Sequence, residues 1–587
     1  MGGTQSQVLP FDIGEEKTDY QNSLWQMYDG TAKEDGTPVT IFKQRRPTQE
    51  ATNDPSQTSV PPHIENMIKR LKTLRHPTLL RYVESMVMEG HMYIVTEQVQ
   101  PLTQTYINET RKSFPESLSW GISRVCTALS FLTSDCHIRY ASLALFSSVF
   151  MTKSGDWKLG NPILTHAVGA EGDNYYNAHH AQIDNKYKPP EITKNLPTGG
   201  TISFTNIPDW SLDSWMFGCL IYEIYQGPIP DTTTSKPFYK TSSSNIPNTL
   251  LPQYKECLSS NPNHRPNFQK LTKNSPFFNN NTITTAQFLE TIALKDSFEK
   301  DAFFRKLSTN LDTFPKPFNK YKILPHLVEA LDFGAANSRV LAPLLKIGTL
   351  LTPEEYAALV TPSVSKWFAS RDKNLRINLL QNLEHFADHL TPEMVNDDIF
   401  AKIALGFGDP MPKMRELTLR SLLYLVPKMN ENLINNQVMR YLAKLQMDPE
   451  PGIRANTTIC LGKLSPNLSP STKHKVLVAA LSRSLRDPFP PARVAGLSAF
   501  IATSEDYSPA SCATQILPLV VTLTVDGEKG VREKAFICVK VFMKRLEDSH
   551  NGIVTKPASA QQQQEAVGML AWAWDLGKKM TGKDEEK

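Results

Sequence analysis

Two regimes of hydrophobic and polar patterning divide this 587-residue chain. In the first, short apolar runs are punctuated by turns. Val39-Thr40-Ile41-Phe42 follows a turn at Glu34-Asp35-Gly36-Thr37, and Met92-Tyr93-Ile94-Val95-Thr96 is a second strand-like run. Strand side chains alternate faces, so residues 8–50 are expected to form short strands with a hairpin. Helical spacing appears from Ile64 to Leu74 and around 117–134 and 211–225. From about residue 300 the strand signals fade and apolar residues recur at helical spacing between proline and asparagine turns, which predicts an all-helical second half.

That second half repeats itself. Asp409-Pro-Met-Pro-Lys-Met-Arg415, Asp448-Pro-Glu-Pro-Gly-Ile-Arg454, Asp487-Pro-Phe-Pro-Pro-Ala-Arg493 and Asp526-Gly-Glu-Lys-Gly-Val-Arg532 share one pattern, with their aspartates 39 residues apart each time. A helical region with a period of about 40 residues carries the signature of HEAT repeats. Asp372 to Arg376 reads as an earlier, divergent unit. Each aspartate is expected to end the loop between paired helices, where it accepts backbone amides, and each arginine to sit in the next helix's first turn near a neighbouring unit's aspartate. These eight residues are therefore assigned to architecture. Stacked helix pairs make a solenoid with an extended concave surface suited to binding.

Composition is that of a folded protein: 40% hydrophobic and 21% charged residues, with a net charge of +4 that demands no polyanionic partner by itself. Any basic patch must be local. Residues 451–500 carry seven Lys or Arg against one acid, Asp487. Arg454 and Arg493 belong to the ladder. Lys463, Lys473, Lys475, Arg483 and Arg486 remain as a candidate surface for RNA phosphate or an acidic peptide. The seven cysteines form no CxxC pair, so neither a zinc module nor a disulfide framework is expected, and a reducing compartment fits best. The chain has no apolar run long enough to span a bilayer and no secretory leader, which points to an intracellular protein. Gly2 and Ser6 match the M-G-x-x-x-[ST] myristoylation pattern. Gln561 to Gln564 reads as a linker. After it, Glu565 to Met580 reads as a helix whose Trp572 and Trp574 either dock on the solenoid or meet a partner.

The order of elements in the first half resembles a protein kinase. Asp213-Ser-Trp-Met-Phe-Gly218 looks like the kinase D-x-W-S-x-G helix, Asn261-Pro-Asn-His-Arg265-Pro like D-P-x-x-R-P, and Lys188-Pro189-Pro190-Glu191 like A-P-E. The resemblance implies a Glu191 to Arg265 ion pair. The catalytic positions depart from it. Gly14 stands alone, followed by Glu15 and Glu16, where kinases cover the phosphates with three glycines. Phe42 takes the place of the V-A-I-K lysine, Lys43 faces the other side of the strand, and the helix glutamate aligns with Met67. Ser142, or Leu143 with a one-residue slip, occupies the base position, Ser148 the metal position of the catalytic loop, and Asn161 the D-F-G aspartate position. Without these charges, phosphoryl transfer loses its electrostatic stabilisation. No enzyme activity, cofactor or metal is expected.

A degenerate kinase domain followed by HEAT repeats resembles the Scy-like, or N-terminal kinase-like, pseudokinases. Phe42, the segment Lys69-Arg-Leu-Lys-Thr-Leu-Arg-His-Pro and Trp157-Lys-Leu-Gly carry the likeness. The expected fold class is multidomain, α+β then all-α: a bilobal kinase-like fold over 1–280, an armadillo-like α-solenoid over 281–550, and a linker with a tail helix over 551–587. The resemblance implies a cytoplasmic scaffold, at the nuclear pore or the Golgi periphery. It would act in nuclear tRNA export, in coat (COPI)-dependent Golgi-to-ER traffic, or in both. Its partners would be tRNA and an export receptor, nuclear pore, translation factor or coat protein. The last five residues, Lys583 to Lys587, lack the dibasic end expected of a coat adaptor, which places tRNA export first.

Overall fold

The computed structural model describes residues 9–45, 60–88, 90–194, 200–230, 238–240, 244–332 and 338–552; Gly2, the glutamine run, Trp572, Trp574 and the charged ending lie outside them. By their contacts the residues fall into two units, Met1–His326 and Leu327–Lys587.

The first unit opens with a five-stranded antiparallel sheet. β1 (Phe11–Glu16), β2 (Trp25–Ala32), β3 (Pro38–Gln44), β4 (Tyr82–Met88) and β5 (His91–Glu97) stand in the order β1-β2-β3-β5-β4, and α1 (Pro62–Thr73) runs between β3 and β4. The hairpin expected before Val39 is β2–β3, paired from Trp25 with Gln44 to Thr31 with Pro38. Both faces of the sheet are apolar. Ile41, Tyr93 and Val95 pack with Leu9 and Phe11 on one side, and Phe42, Trp25 and Ile94 pack with Ile64, Met67 and Leu71 of α1 on the other.

A helical lobe follows, centred on helices Pro115–Ser130 and Ser211–Gln226. The second is buried from Ser211 to Tyr225, as a helix apolar on every side must be. Helices beyond residue 280 also belong to this unit. Asn280 donates to Ser119 Oγ at 2.6 Å, Arg124 meets Glu290 at 3.2 Å, and Lys322 reaches Asp156 at 3.2 Å and Glu290 at 3.0 Å. These polar ties close the first unit at His326, later than the boundary at 280 that patterning gives, because helical spacing cannot say which neighbour a helix packs on.

The second unit is a series of helix pairs, and its period is written twice. The first helix of each pair starts at a side-chain cap: Thr352, Thr391, Asn430, Ser469 and Ser508, again 39 residues apart, each accept the amide three residues on. Proline follows four of these five caps, at the position where its missing N–H is harmless. The caps carry the strict period back to the divergent unit of Asp372, which itself accepts the amide of Asn374 two residues on. In four successive first helices a π-turn intervenes, at Val395–Ile399, Leu433–Val438, Lys473–Leu477 and Cys512–Ile516, so it belongs to the architecture.

The ladder joins these pairs. Arg415 grips Asp448 at 2.7 and 2.8 Å, Arg454 grips Asp487 at 2.8 and 2.9 Å, and Arg493 donates to Asp526 at 2.8 Å. The same guanidinium also closes its own loop, as when Arg454 Nη1 donates to the carbonyls of Asp448 and Pro449. Each aspartate accepts the amide two residues on, including Met411 N for Asp409 and Glu528 N for Asp526. At the divergent end Lys373, not Arg376, pairs with Asp409 at 3.2 Å. At the other end Arg532 keeps the loop bonds, to Asp526 O and Gly527 O.

Removing a ladder arginine strands a carboxylate and two loop carbonyls together. Arg454→Ala is expected to lower the opening free energy of helices Pro451–Leu464 and Pro490–Ala502 by about 2–4 kcal/mol, read as faster hydrogen exchange in both, with a smaller effect from Arg532→Ala.

Glu223 gives the first unit a pH signature. Its carboxylate accepts from Tyr187 Oη at 2.7 Å and Leu145 N at 3.4 Å, and burial pushes it up from 4.5 to about 7. A raised acid holds its proton more tightly folded than unfolded, so its contribution is full below pH 4.5 and is lost as pH rises through about 7. Glu223→Gln should flatten the unfolding midpoint's fall between about pH 5 and pH 8, a difference of about 2 kcal/mol.

Candidate functional site

The strand carrying Phe42 decides what the cleft of the first unit can hold. β3 alternates, so Ile41 and Lys43 face one side and Phe42 the other; Lys43 Nζ lies 5.7 Å from the centre of the Tyr93 ring, away from the cleft. Phe42 packs edge-on against Tyr20 at 5.8 Å and Phe150 at 5.4 Å between ring centres. Tyr20 is tied across by its hydroxyl, which donates to Ser147 O at 3.0 Å. Met67 of α1 closes the group where a carboxylate would pair with the missing lysine. The space left among Tyr20, Trp25, Phe42, Met67, Phe150 and Asn161 is about 10 Å³, room for one water at most against the several hundred Å³ of a ligand site.

The remaining catalytic positions are turned inward. Ser142 Oγ donates to Tyr140 O at 3.1 Å and accepts Leu164 N at 2.8 Å; Ser148 Oγ donates to Ala144 O and accepts Ala144 N. Both hydroxyls are used up in holding loops. Asn161 is 8% exposed in a left-handed backbone conformation at φ 56°, with its amide nitrogen 3.4 Å from Ser147 O. A neutral amide so placed offers a divalent cation little. Gly14 sits in an irregular stretch of β1, and the two glutamates after it are exposed. Among the described residues no group of three or more His, Cys, Asp or Glu side chains is arranged to hold a metal.

The framework positions are intact. Arg265 forms a bidentate pair with Glu191 at 2.6 and 2.8 Å and also reaches Ser259 O and Ser211 Oγ. Asp213 accepts the amides of Tyr140 at 2.8 Å and Ala141 at 2.7 Å; burial lifts its carboxyl to about 6 although those amides pull it down.

The five basic residues singled out between 451 and 500 are not brought together. Lys473 pairs with Asp506 at 2.9 Å, and Lys463 lies half-buried in helix Pro451–Leu464. The side chain of Lys475 is outside the described residues. Arg483 and Arg486 lie near the far end of their helix, about 15 Å along the axis from Lys473. Arg483 meets the preceding pair at Gln446, two residues after Lys444, a cation that lies outside residues 451–500. Arg483 Nη1 donates to Gln446 Oε1 across that junction at 3.4 Å, and Lys444 and Met447 are exposed beside it. The signal was available: Lys444 and Arg483, like Met447 and Arg486, differ by one 39-residue period.

A kinase framework whose lysine and glutamate positions are filled by an apolar cluster, in a chain that continues as HEAT-type repeats, defines an inactive kinase that serves as a scaffold. A family model described as protein tyrosine and serine/threonine kinase matches residues 49–274. The probable inactive serine/threonine-protein kinase scy1 of Dictyostelium discoideum is 38% identical over 594 residues, covering 98% of this chain and 70% of that protein. The chain belongs to the Scy1-like family of inactive kinases. Human SCY1-like protein 2 is 21% identical, and the mouse protein-associating with the carboxyl-terminal domain of ezrin 26%; the chain spans about half of each, 47% and 48%. The crystal structure of Cex1p shares the fold, with a TM-score of 0.66 at 22% identity over 95% of this chain and all of that one.

Restoring the missing cation should not restore chemistry. Phe42→Lys is expected to destabilise the first unit by about 3 kcal/mol or more, since it buries an unpaired ammonium among aromatic rings. Neither it nor the parent should gain thermal stability from magnesium ATP or transfer labelled phosphate.

Proposed function

We propose that this protein is a non-catalytic adaptor in nuclear tRNA export, acting in the cytoplasm and at the nuclear pore. The observation that carries the reading is the edge of the repeat array bearing Lys444, Arg483 and Arg486, three exposed cations on consecutive helix pairs. Spaced cations of this kind suit a phosphate backbone, which is read by charge and position more than by base. The family resemblance and the closed cleft support an adaptor; protein partners such as an export receptor or translation factor would use other faces of the array. No helix among the described residues is long and apolar enough to cross a membrane.

The test is a pull-down from cell extract with and without RNase, followed by tRNA titration with purified protein. Recovery of tRNA and of RNase-resistant nuclear-pore proteins is expected. Lys444→Glu, Arg483→Glu and Arg486→Glu together should weaken tRNA binding at least about tenfold near 0.1 M salt and reduce the salt slope by about 2–3. Recovery of coat proteins without tRNA would replace this reading with coat-dependent Golgi-to-ER transport.

A further inference from the structure

The last described helix pair of the repeat array leaves an apolar stripe uncovered. In helix Lys529–His550 the residues Val531, Ala535, Cys538 and Phe542 are buried. One position further round, Phe536, Val539, Met543 and Leu546 recur at three- and four-residue spacing, yet Phe536 is 54% and Met543 44% exposed, and the other two are half-buried. One period back, Leu497, Phe500 and Tyr507 hold the places of Phe536, Val539 and Leu546, and all three are buried. The following pair covers them: Phe500 and Tyr507 stand 6.4 and 6.3 Å, centre to centre, from the Phe542 ring. Arg532 lies on the same uncovered stripe. Arg415, Arg454 and Arg493 each reach the next pair's aspartate, whereas Arg532 is bonded among the described residues to its loop carbonyls alone.

We propose that residues 565–580 of this chain dock on that stripe as a half repeat and close the end of the array. The period places them. Glu565 falls 39 residues after Asp526, where the next carboxylate for Arg532 is due. Beyond it Met569, Ala573, Leu576 and Met580 make a stripe of matching spacing. Its side is set by Ala573, two periods after Ala495, which packs on Ile459 of the pair before. The positions that would face a further pair, one period after Arg532, Phe536, Val539 and Met543, read Ala571, Asp575, Lys578 and Gly582. An apolar inner face with a polar outer one is what a terminal unit of a solenoid needs. Trp574 falls at the place of Gly496, which lies close against Ser484 and Leu485 of its own pair's first helix. A large ring there suits a unit in which the linker replaces that helix. The linker is long enough: residues 553–564 can span about 40 Å, against about 30 Å along the axis from Gly552 back to Arg532.

This inference goes beyond the tRNA reading and does not depend on it. The test is hydrogen exchange of the full chain, read by mass spectrometry over residues 569–580. Their amides are expected to exchange at least about tenfold more slowly in the parent than in Leu576→Asp, and Phe536→Asp on the array side should act alike. Leu576→Asp alters the docked segment alone, so it decides the matter if Phe536→Asp disturbs the array. Arg532→Glu should speed the exchange about fivefold. Adding Glu565→Arg should recover most of the protection, which loss of the Arg532 loop bonds by itself would not permit. The charge-reversed variant at Lys444, Arg483 and Arg486 should keep the protection, so failure of one proposal leaves the other standing. Equal exchange in the parent and Leu576→Asp would overturn the proposal. So would protection that vanishes on dilution as light scattering passes from dimer to monomer, since a second copy would then be covering the stripe.

Discussion

Phe42, at the position of the kinase lysine, meets Phe150 edge to face at 5.4 Å, and that contact sets the terms for the rest of the first unit. A charge in such a dry interior is tolerated only with a partner, and removing one member of a set strands the others at a cost of several kcal/mol. The substitutions at the cleft obey this as a group. An aromatic ring replaces the lysine, a methionine replaces the glutamate that would pair with it, and an amide and two hydroxyls bonded to the backbone stand at the remaining positions. Every site has been neutralised, so none is left to demand a counter-charge.

The charges that stay are those whose partners stayed. Arg265 keeps both oxygens of Glu191, and Asp213 keeps two amides. Neither contributes to phosphoryl transfer; both hold segments distant in sequence. Retaining the framework while filling the lysine position leaves a kinase fold that offers its surfaces in place of its chemistry.

In the repeat array the same constraint acts through a period. An arginine that bonds its own loop and the next pair's aspartate cannot move without both, so Asp and Arg recur while neighbouring edge positions are free to vary. One period relates Leu405, Lys444, Arg483 and Thr522, and another series relates Gly408, Met447, Arg486 and Val525. Architecture is written in the residues that recur, and recognition in those that differ between repeats.

Local chemistry was legible in the chain. The hairpin, the outward turn of Lys43, the loss of each catalytic charge, the Glu191 to Arg265 pair and the ladder all follow from alternation, spacing or motif, because each depends on near neighbours or on a strict repeat. What fills the cleft was not legible: Tyr20, Phe42 and Phe150 lie far apart along the chain, and only folding stacks their rings. Nor was the fate of the basic run. Adjacency in sequence suggested one surface, but a helix places residues ten positions apart at opposite ends, and stacking brings Gln446 of the preceding pair to Arg483 instead. Sequence determined which groups are present and which are lost; tertiary structure decided which of them meet, since contact between distant segments depends on how helices and strands pack and not on their order.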